Sequence, residues 1–291
     1  MFVNEELQPV TVKMNNPRHM LRLLYKGFST GAVGRKDKQD AQVIFEQFLM
    51  SIQSLRAMER YSMKTVITTD LHGCSLEFRA LLKQAGLMKS EDTLIVLGDL
   101  FDRGKHSFEV YREMQALRDG MGERLILIRG NHDQFFLDCL EDRRDFSLWM
   151  YNGGGITLES FSRHGVSLND VGDFLKSGMY WYETEQFIAV HAGLVSEKPE
   201  ENSRDILLWD RSVTEGHYRG KLGIGGHTPM REPVWFMPDG NMLLLQYDTG
   251  FSLPDRGFIC LDTGCVYGNR LTAMVIEGER CTLTGMRHMD Y

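Results

Sequence analysis

Three short β-rich runs, each closed by glycine and polar residues, constrain the fold more than any other feature of this chain. They are MKTVITTDLHG (63–73), DTLIVLGDLFDRG (92–104) and RLILIRGNHD (124–133). Helical stretches separate them, SLEFRALLKQAG (75–86) and SFEVYREMQALRDG (107–120). A repeat of strand, polar loop and helix is the βαβ pattern of a parallel sheet, in which ligands bind at the carboxyl ends of the strands. All three polar clusters fall at those ends, so this fold would bring them together.

A second set of β-rich runs follows a region, 132–177, that is predicted to be mostly helical and is interrupted by NGGG (152–155). The runs are short and closely spaced, which predicts a second, more antiparallel sheet. Two of them end in HAG (191–193) and GHTP (226–229), and so deliver a histidine into a loop. In order, the runs are EQFIAVHAG, GKLGIGGHTP, NMLLLQYD, GFICLDTG, LTAMVIEG and ERCTLTG.

The first 62 residues have a different character. Residues 38–60 carry apolar side chains at helical spacing and contain no Gly or Pro, which predicts a long amphipathic helix. Residues 13–38 hold seven Lys or Arg against one acid. We therefore expect an N-terminal extension over 1–62 and a main domain over 63–291. The basic stretch could bind a partner or a second copy of the chain, or it could be a solvated helix face.

Composition excludes several classes of protein. A net charge of −7 argues against a nucleic-acid binder, although it allows an anionic substrate, because a bound metal can reverse the local field. The N-terminus lacks the pattern of a secretory signal, and no run approaches the roughly 18 apolar residues of a membrane span. We therefore predict a cytoplasmic protein without a membrane partner.

The cysteines are odd in number and scattered, which is typical of reduced thiols in that compartment. Cys260 and Cys265 are five residues apart on neighbouring predicted strands, a spacing that does not by itself indicate zinc. Cys74 lies two residues after His72 and is expected to be a buried, inert thiol. The full set is Cys74, Cys139, Cys260, Cys265 and Cys281.

The residues at the strand ends form a mixed set of carboxylates, imidazoles and an amide. Such a set suits borderline divalent metals such as Mn, Fe or Zn, and it exceeds what one ion needs. Two ions about 3.5–4 Å apart form the clamp that assists in-line attack on phosphorus. A lone GDxxD could be a simple turn, but five such clusters in order argue against that interpretation. The members are Asp70, His72, Asp99, Asp102, Arg103, Asn131, His132, His191 and His227.

The clusters DLHG, GDLFDRG, RGNHD, HAG and GHTP resemble the five motifs of the phosphoprotein phosphatase family within the calcineurin-like metallophosphoesterases. The resemblance runs from about Met63 to about Arg280. YNGGGITLES, LLWDR and LDTGCVYGNRLTA resemble its bacterial branch, which includes Ser/Thr protein phosphatases and symmetrical diadenosine tetraphosphatases. The resemblance implies an α/β fold in which two mixed β-sheets form a sandwich flanked by helices, with the active site at the sheet edges.

The resemblance also implies two divalent metal ions, with Mn²⁺ expected and Fe or Zn as alternatives. One ion would be held by Asp70, His72 and Asp99. The other would be held by Asp99, Asn131, His191 and His227. Two motifs depart from the family pattern, since Thr69 stands where Gly is usual and the third motif reads NHD rather than NHE. We expect neither change to disturb the ligands.

The remaining motif residues are implied to act on the substrate. His132 would be the general acid, which an alkoxide leaving group needs, and Asp102 would orient it. Arg103 would grip the phosphoryl oxygens with its forked guanidinium. Arg211 in LLWDR is the expected second phosphate-binding arginine, with Arg219 in HYRG as the alternative. Asn152 could contact the substrate or belong to a tight turn.

Together these features predict a metal-dependent phosphomonoesterase, a protein Ser/Thr phosphatase in which hydroxide bridging two metals attacks directly. GHTP rather than GHTH, and Arg103 within DRG, favour this interpretation. The alternative is a symmetrical dinucleoside tetraphosphatase or a small-molecule phosphatase. A partner-binding pseudophosphatase is a third hypothesis, but such a protein should lack the acid, the arginine or a ligand, and none is missing here. The predicted partner is a phosphorylated protein or a small phosphoester.

Overall fold

The computed structural model describes residues 63–142 and 146–289. In this part of the chain, twelve strands form two six-stranded sheets with helices around them. None of the helices in these ranges has the length and apolar character needed to cross a bilayer. The extension predicted for residues 1–62, with its amphipathic helix and its possible role in self-association, lies outside the described residues.

The first sheet contains the three strands of the βαβ pattern. Its members are β1 (Thr65–Thr68), β2 (Thr93–Val96), β3 (Leu125–Leu127), β9 (Phe251–Ser252), β11 (Arg270–Glu277) and β12 (Arg280–Arg287). Their order is β3-β2-β1-β11-β12-β9, with β1, β2 and β3 parallel and β11 antiparallel to β1. The expectation that LTAMVIEG and ERCTLTG belong to the second sheet is wrong. These runs form the hairpin β11–β12. Its strand β11 pairs with β1 on the side opposite β2.

The second sheet is mixed, with three antiparallel and two parallel strand pairings. Its members are β4 (Trp181–Glu183), β5 (Ile188–Val190), β6 (Gly223–Gly225), β7 (Val234–Phe236), β8 (Met242–Leu244) and β10 (Phe258–Cys260). The order is β4-β5-β6-β10-β7-β8, and the central strands β5, β6 and β10 are parallel. The carboxyl ends of these three strands therefore lie at one edge of the sheet.

The helices confirm the predicted pattern. Two of them connect the first three strands, and the region 132–177 is mostly helical, with a π-helical turn over Met150–Gly154. The helices are α1 (Ser75–Gln84), α2 (Ser107–Met121), α3 (Asn131–Glu141), α4 (Phe146–Trp149), α5 (Gly155–Arg163), α6 (Leu168–Lys176) and α7 (Arg204–Trp209).

The central strands are buried on both faces. Val66 of β1 packs with the helices, whereas Ile67, the next residue, packs between the two sheets. Successive side chains of a strand point to opposite faces, so a strand with two buried faces reads as a continuous apolar run. On the outer face of the second sheet, Ile188 and Phe258 pack with Leu207 of α7. Packing on both sides therefore holds the strand ends in fixed positions.

Candidate active site

Polar residues at the carboxyl ends of six strands meet at one edge of the sandwich. Five of these ends are the predicted clusters after β1, β2, β3, β5 and β6, and the sixth follows β10. A cavity of about 250 Å³, called the central cavity below, opens among them. Two predicted residues, Asp102 and His191, are buried behind its wall. The predicted residues that line the cavity are Asp70, His72, Asp99, Arg103, Asn131, His132, Asn152, Arg211 and His227.

The backbone at these strand ends adopts left-handed conformations that ordinary residues rarely take. Six site residues have φ between 40° and 69°, namely Asp70, His72, Asp99, Asp102, Arg103 and His227. Each such residue costs of order 1–3 kcal/mol, so the surrounding packing must impose the conformation. Part of that packing is a backbone contact: a Cβ atom on Gly98 would lie 2.2 Å from the backbone nitrogen of Gly130. The loops after β2 and β3 can approach this closely only because both residues are glycine.

The donor set around Asp99 fits a cation. Nδ1 of His191 donates to the carbonyl of Leu97 at 2.7 Å, so Nε2 of that ring carries a lone pair. This Nε2 lies 2.9 Å from Oδ1 of Asn131 and 3.5 Å from Oδ2 of Asp99. Three electron-rich atoms facing one another repel unless a positive ion lies between them. Nδ1 of His227 also lies 2.9 Å from the Asn131 oxygen, so this ring is within reach of the same ion.

The imidazole of His72 also faces Asp99, and in this arrangement its free ring nitrogen accepts from Arg103. Nδ1 of His72 donates to the carbonyl of Phe101 at 2.7 Å, which leaves its Nε2 as a lone pair 3.5 Å from Oδ2 of Asp99. Burial, and next the nearby carboxylate of Asp70, raise the pKa of Asp99 well above its usual range. A divalent cation would favour the charged form of these carboxylates and reverse that shift. The ligand atoms of His72, Asp99 and His132 lie within 4.8 Å of one another, as do those of Asp99, His191 and His227, so both groups share Asp99 and can hold divalent metal ions.

His132 is held by a buried hydrogen-bond network. Its Nδ1 donates to Oδ2 of Asp102 at 2.7 Å. Asp102 also accepts from Nε1 of Trp149 at 2.9 Å and from the hydroxyl of Thr157 at 2.7 Å. Nε2 of His132 accepts from Arg103 at 2.7 Å. Burial, and next the charge of Arg103, lower the pKa of His132 to about 2, so this imidazole is neutral in the arrangement described.

Of the three candidate phosphate-binding arginines, two line the central cavity and one does not. Arg103 lies across the imidazoles of His72 and His132 and donates to Nε2 of each ring. Arg211 lines the central cavity and donates to the carbonyl of His227 at 3.1 Å. Arg219 does not line the cavity, and its guanidinium donates instead to the carbonyl of Pro238.

Asn152 also lines the cavity. It lies in the π-helical turn, and its amide donates to the carbonyl of Leu148 at 2.8 Å. The turn therefore holds the side chain at the cavity wall, where it can contact a substrate.

Two carboxylates at the site were not singled out from the sequence. Asp133 accepts from the backbone N–H groups of Asp99, Leu100 and Gly130 at 2.9–3.1 Å, and so shapes the loop after β2. Its signal in the sequence was the NHD of the third motif, which departs from the family pattern. Asp262 follows β10, lines the cavity and is 5% exposed. Its signal was the apolar run of GFICLDTG, which ends in a carboxylate as the first two clusters do.

A family comparison agrees with this geometry. The model of the calcineurin-like phosphoesterase family matches residues 63–254, which include the five predicted clusters. The chain belongs to this family. It is a metallophosphoesterase, a hydrolase of phosphoesters.

Individual proteins within and around this family are also similar to the chain. The chain is 27% identical over 274 residues to a symmetrical bis(5'-nucleosyl)-tetraphosphatase of Glaesserella parasuis, covering 75% of this chain and 96% of the relative. It is 26% identical over 260 residues to the protein of the same name from Methylococcus capsulatus, covering 72% and 90%. Its fold is similar to that of a metallophosphoesterase from Sphaerobacter thermophilus, with a TM-score of 0.57, 17% identity and coverage of 78% and 90%.

Proposed function

We propose that the protein hydrolyses dinucleoside polyphosphates and cleaves a tetraphosphate symmetrically into two nucleoside diphosphates. The observation that carries the proposal is the near-complete coverage of two relatives that bear the name symmetrical tetraphosphatase. The sequence motifs alone favour a protein Ser/Thr phosphatase with this activity as the alternative. The relatives favour the alternative, and we adopt it.

The walls of the central cavity support this substrate class. Arg103 and Arg211 present two guanidinium groups to the same cavity, which suits a linear chain of charged phosphates. Two aromatic side chains lie at its rim, Trp209 with 42% and Tyr267 with 63% of their surface exposed. Exposed aromatic rings beside a phosphate site are suited to stacking on nucleobases.

The metal ligands in this proposal are the two groups that share Asp99. Asp70, His72 and Asp99 would hold one ion, and Asp99, Asn131, His191 and His227 would hold the other, with Mn²⁺ as the expected metal. Two divalent cations there would supply positive charge to the phosphoryl oxygens and lower the pKa of the attacking water.

The side chains around the cavity divide the remaining work. Arg103 now donates to Nε2 of His132, and this nitrogen cannot carry a proton while it accepts that bond. A phosphate chain in the cavity would draw the Arg103 guanidinium to its oxygens and free Nε2 to hold a proton for the leaving group. Asp102 keeps the ring oriented through Nδ1 and offsets the positive charge. Arg211 would bind a second phosphate.

One preparation tested on two substrates decides between the proposal and the protein phosphatase. We expect kcat/KM for a diadenosine tetraphosphate to exceed that for a phosphoserine peptide, with ADP as the sole nucleotide product. The Asp99→Asn variant, purified in the same way, controls for contaminating hydrolases. A higher kcat/KM on the phosphopeptide, or ATP and AMP as products, would overturn the proposal.

A further inference from the structure

A separate group of metal-ligating side chains lies beside the catalytic residues. Cys74, Glu77, Cys265 and His288 each offer one ligand atom, and the four atoms lie within 4.8 Å of one another. Cys74 follows the loop after β1, Glu77 is in α1, Cys265 begins the turn after β10, and His288 follows β12. Folding therefore brings together four parts of the chain that are distant in sequence.

Three of the four side chains are buried, and one of these three is a carboxylate, which is rare in a protein core. Cys74 and Cys265 are each 2% exposed, and the Glu77 side chain is fully buried. Nδ1 of His288 lies 3.0 Å from Oε1 of Glu77, and the backbone N–H of Met289 donates to the same oxygen at 2.8 Å. Two thiols, an imidazole and a carboxylate converge in this group, and all four are side-chain types that bind divalent metals.

We propose that these four side chains form a structural zinc site. Two thiolates, one imidazole and one carboxylate are a set of ligands that Zn²⁺ accepts in tetrahedral geometry. Zinc–ligand bonds of about 2.0–2.3 Å place neighbouring ligand atoms of a tetrahedron about 3.3–3.8 Å apart. The observed spacing, within 4.8 Å for all pairs and 3.0 Å for one, requires only small side-chain adjustments. Four protein ligands would close the site to substrate.

The surroundings provide an entry path and a consequence. A surface cavity of about 390 Å³ is lined by Cys74, His288 and Met289, so an ion can reach the ligands from solvent. Cys74 lies two residues after His72, and Cys265 two residues before Tyr267. A zinc ion would therefore tie both walls of the central cavity to the end of β12. This inference does not depend on the identity of the substrate.

Cobalt substitution tests the site without using activity. The proposed catalytic ligands are nitrogen and oxygen atoms, so an intense sulfur-to-cobalt charge-transfer band in the full chain would report the thiolate site alone. We expect one equivalent of Co²⁺ with this band in reduced protein, and the band should persist in Asp99→Asn. Cys265→Ser should remove most of it. Cys281→Ser, which changes another buried cysteine outside the group, should leave it unchanged.

A second variant and a second measurement cover the risk that Cys265→Ser fails to fold. The His288 side chain is 26% exposed, so His288→Ala should fold and should bind zinc at least about tenfold more weakly. X-ray absorption at the zinc edge of the unmodified protein should show sulfur neighbours at about 2.3 Å. Zinc without sulfur neighbours, a thiolate band unchanged in His288→Ala and Cys265→Ser, or a Cys74–Cys265 disulfide in place of bound metal would each overturn the proposal.

Discussion

Nδ1 of His132 lies 2.7 Å from Oδ2 of Asp102, and this contact turns the other ring nitrogen, Nε2, toward the central cavity. Asp102 is held in turn by Trp149 and Thr157, which lie about fifty residues later in the chain. The carboxylate is buried and accepts three hydrogen bonds, so its position leaves the ring little freedom. The orientation of the proposed general acid is thus decided by the helical region that follows it.

Replacement of His132 should lower kcat most on substrates with poor leaving groups. We expect His132→Asn to lower kcat by roughly 10²–10⁴ on phenyl phosphate, because the departing oxygen needs a proton. The loss should be smaller on para-nitrophenyl phosphate and on the tetraphosphate, whose leaving oxygens are more stable as anions. Steady-state rates on the three substrates, with metal content as a control, measure this. Equal losses on all three would exclude a general-acid role.

Replacement of Asp99 should remove the metal ions at the central cavity and the activity together. Its Oδ2 lies 3.5 Å from Nε2 of both His72 and His191, so one carboxylate serves both proposed ion sites. We expect Asp99→Asn to lose the ions of the two groups that share Asp99 and nearly all hydrolysis, but to keep zinc at the thiolate site, while Asp173→Asn on the exposed side of α6 retains all of these. Chelation of the unmodified protein should abolish activity, and added Mn²⁺ should restore it. Full activity in a metal-free sample would contradict the dinuclear hypothesis.

Two arginines in one segment offer a matched pair. Arg211→Ala should lower kcat/KM on the tetraphosphate by about 10²–10³, because one preorganised charged donor is lost from the cavity. Arg219→Ala should have little effect, because its guanidinium binds a backbone carbonyl elsewhere. Arg103→Ala should lower kcat/KM by the same order as Arg211→Ala. Arg103→Lys should recover only part of kcat/KM. If Arg219→Ala proves the more damaging change, the assignment of Arg211 is wrong.

Trp209, one of the two aromatic residues at the cavity rim, should affect only substrates that carry a nucleobase. Trp209→Ala should raise KM for the tetraphosphate by roughly 5- to 150-fold, since base stacking contributes about 1–3 kcal/mol. Trp209→Phe should preserve most of the affinity. Hydrolysis of para-nitrophenyl phosphate, which has no nucleobase, should change little in either variant. A parallel rise in KM for both substrates would show that Trp209 acts on the cavity structure and not on a base.

Asp133 should matter for stability as well as for rate. Its carboxylate accepts three backbone N–H groups, and its removal leaves them buried without partners. We expect Asp133→Ala to lower the free energy of unfolding by roughly 2–4 kcal/mol. Urea denaturation measures this, with Asp173→Ala as the exposed control. A change below about 0.5 kcal/mol would show that the loop after β2 keeps its shape without this carboxylate.

Local features of the sequence were sufficient to predict much of the fold. Apolar runs that end in Gly and Asp, His or Asn marked the central strands and their carboxyl ends, and the helices between them followed from periodicity. These signals are local because a strand buried on both faces must be apolar throughout, and because the neighbouring loops approach the strand ends too closely for any residue but Gly. Parallel pairing groups the first three clusters at the edge of one sheet and the last two at the edge of the other, and the packing of the two sheets brings these edges together.

The tertiary structure decided what depends on contacts between distant segments. The hairpin β11–β12 joins the first sheet, and no local pattern distinguishes that edge from the other sheet. The placement of Arg211 rather than Arg219 at the cavity likewise depends on how the segment after α7 packs. Cys265 lies beside Cys74, not beside Cys260 five residues before it. Spacing along a chain predicts proximity only within one element, whereas these relationships arise when separate elements pack against each other.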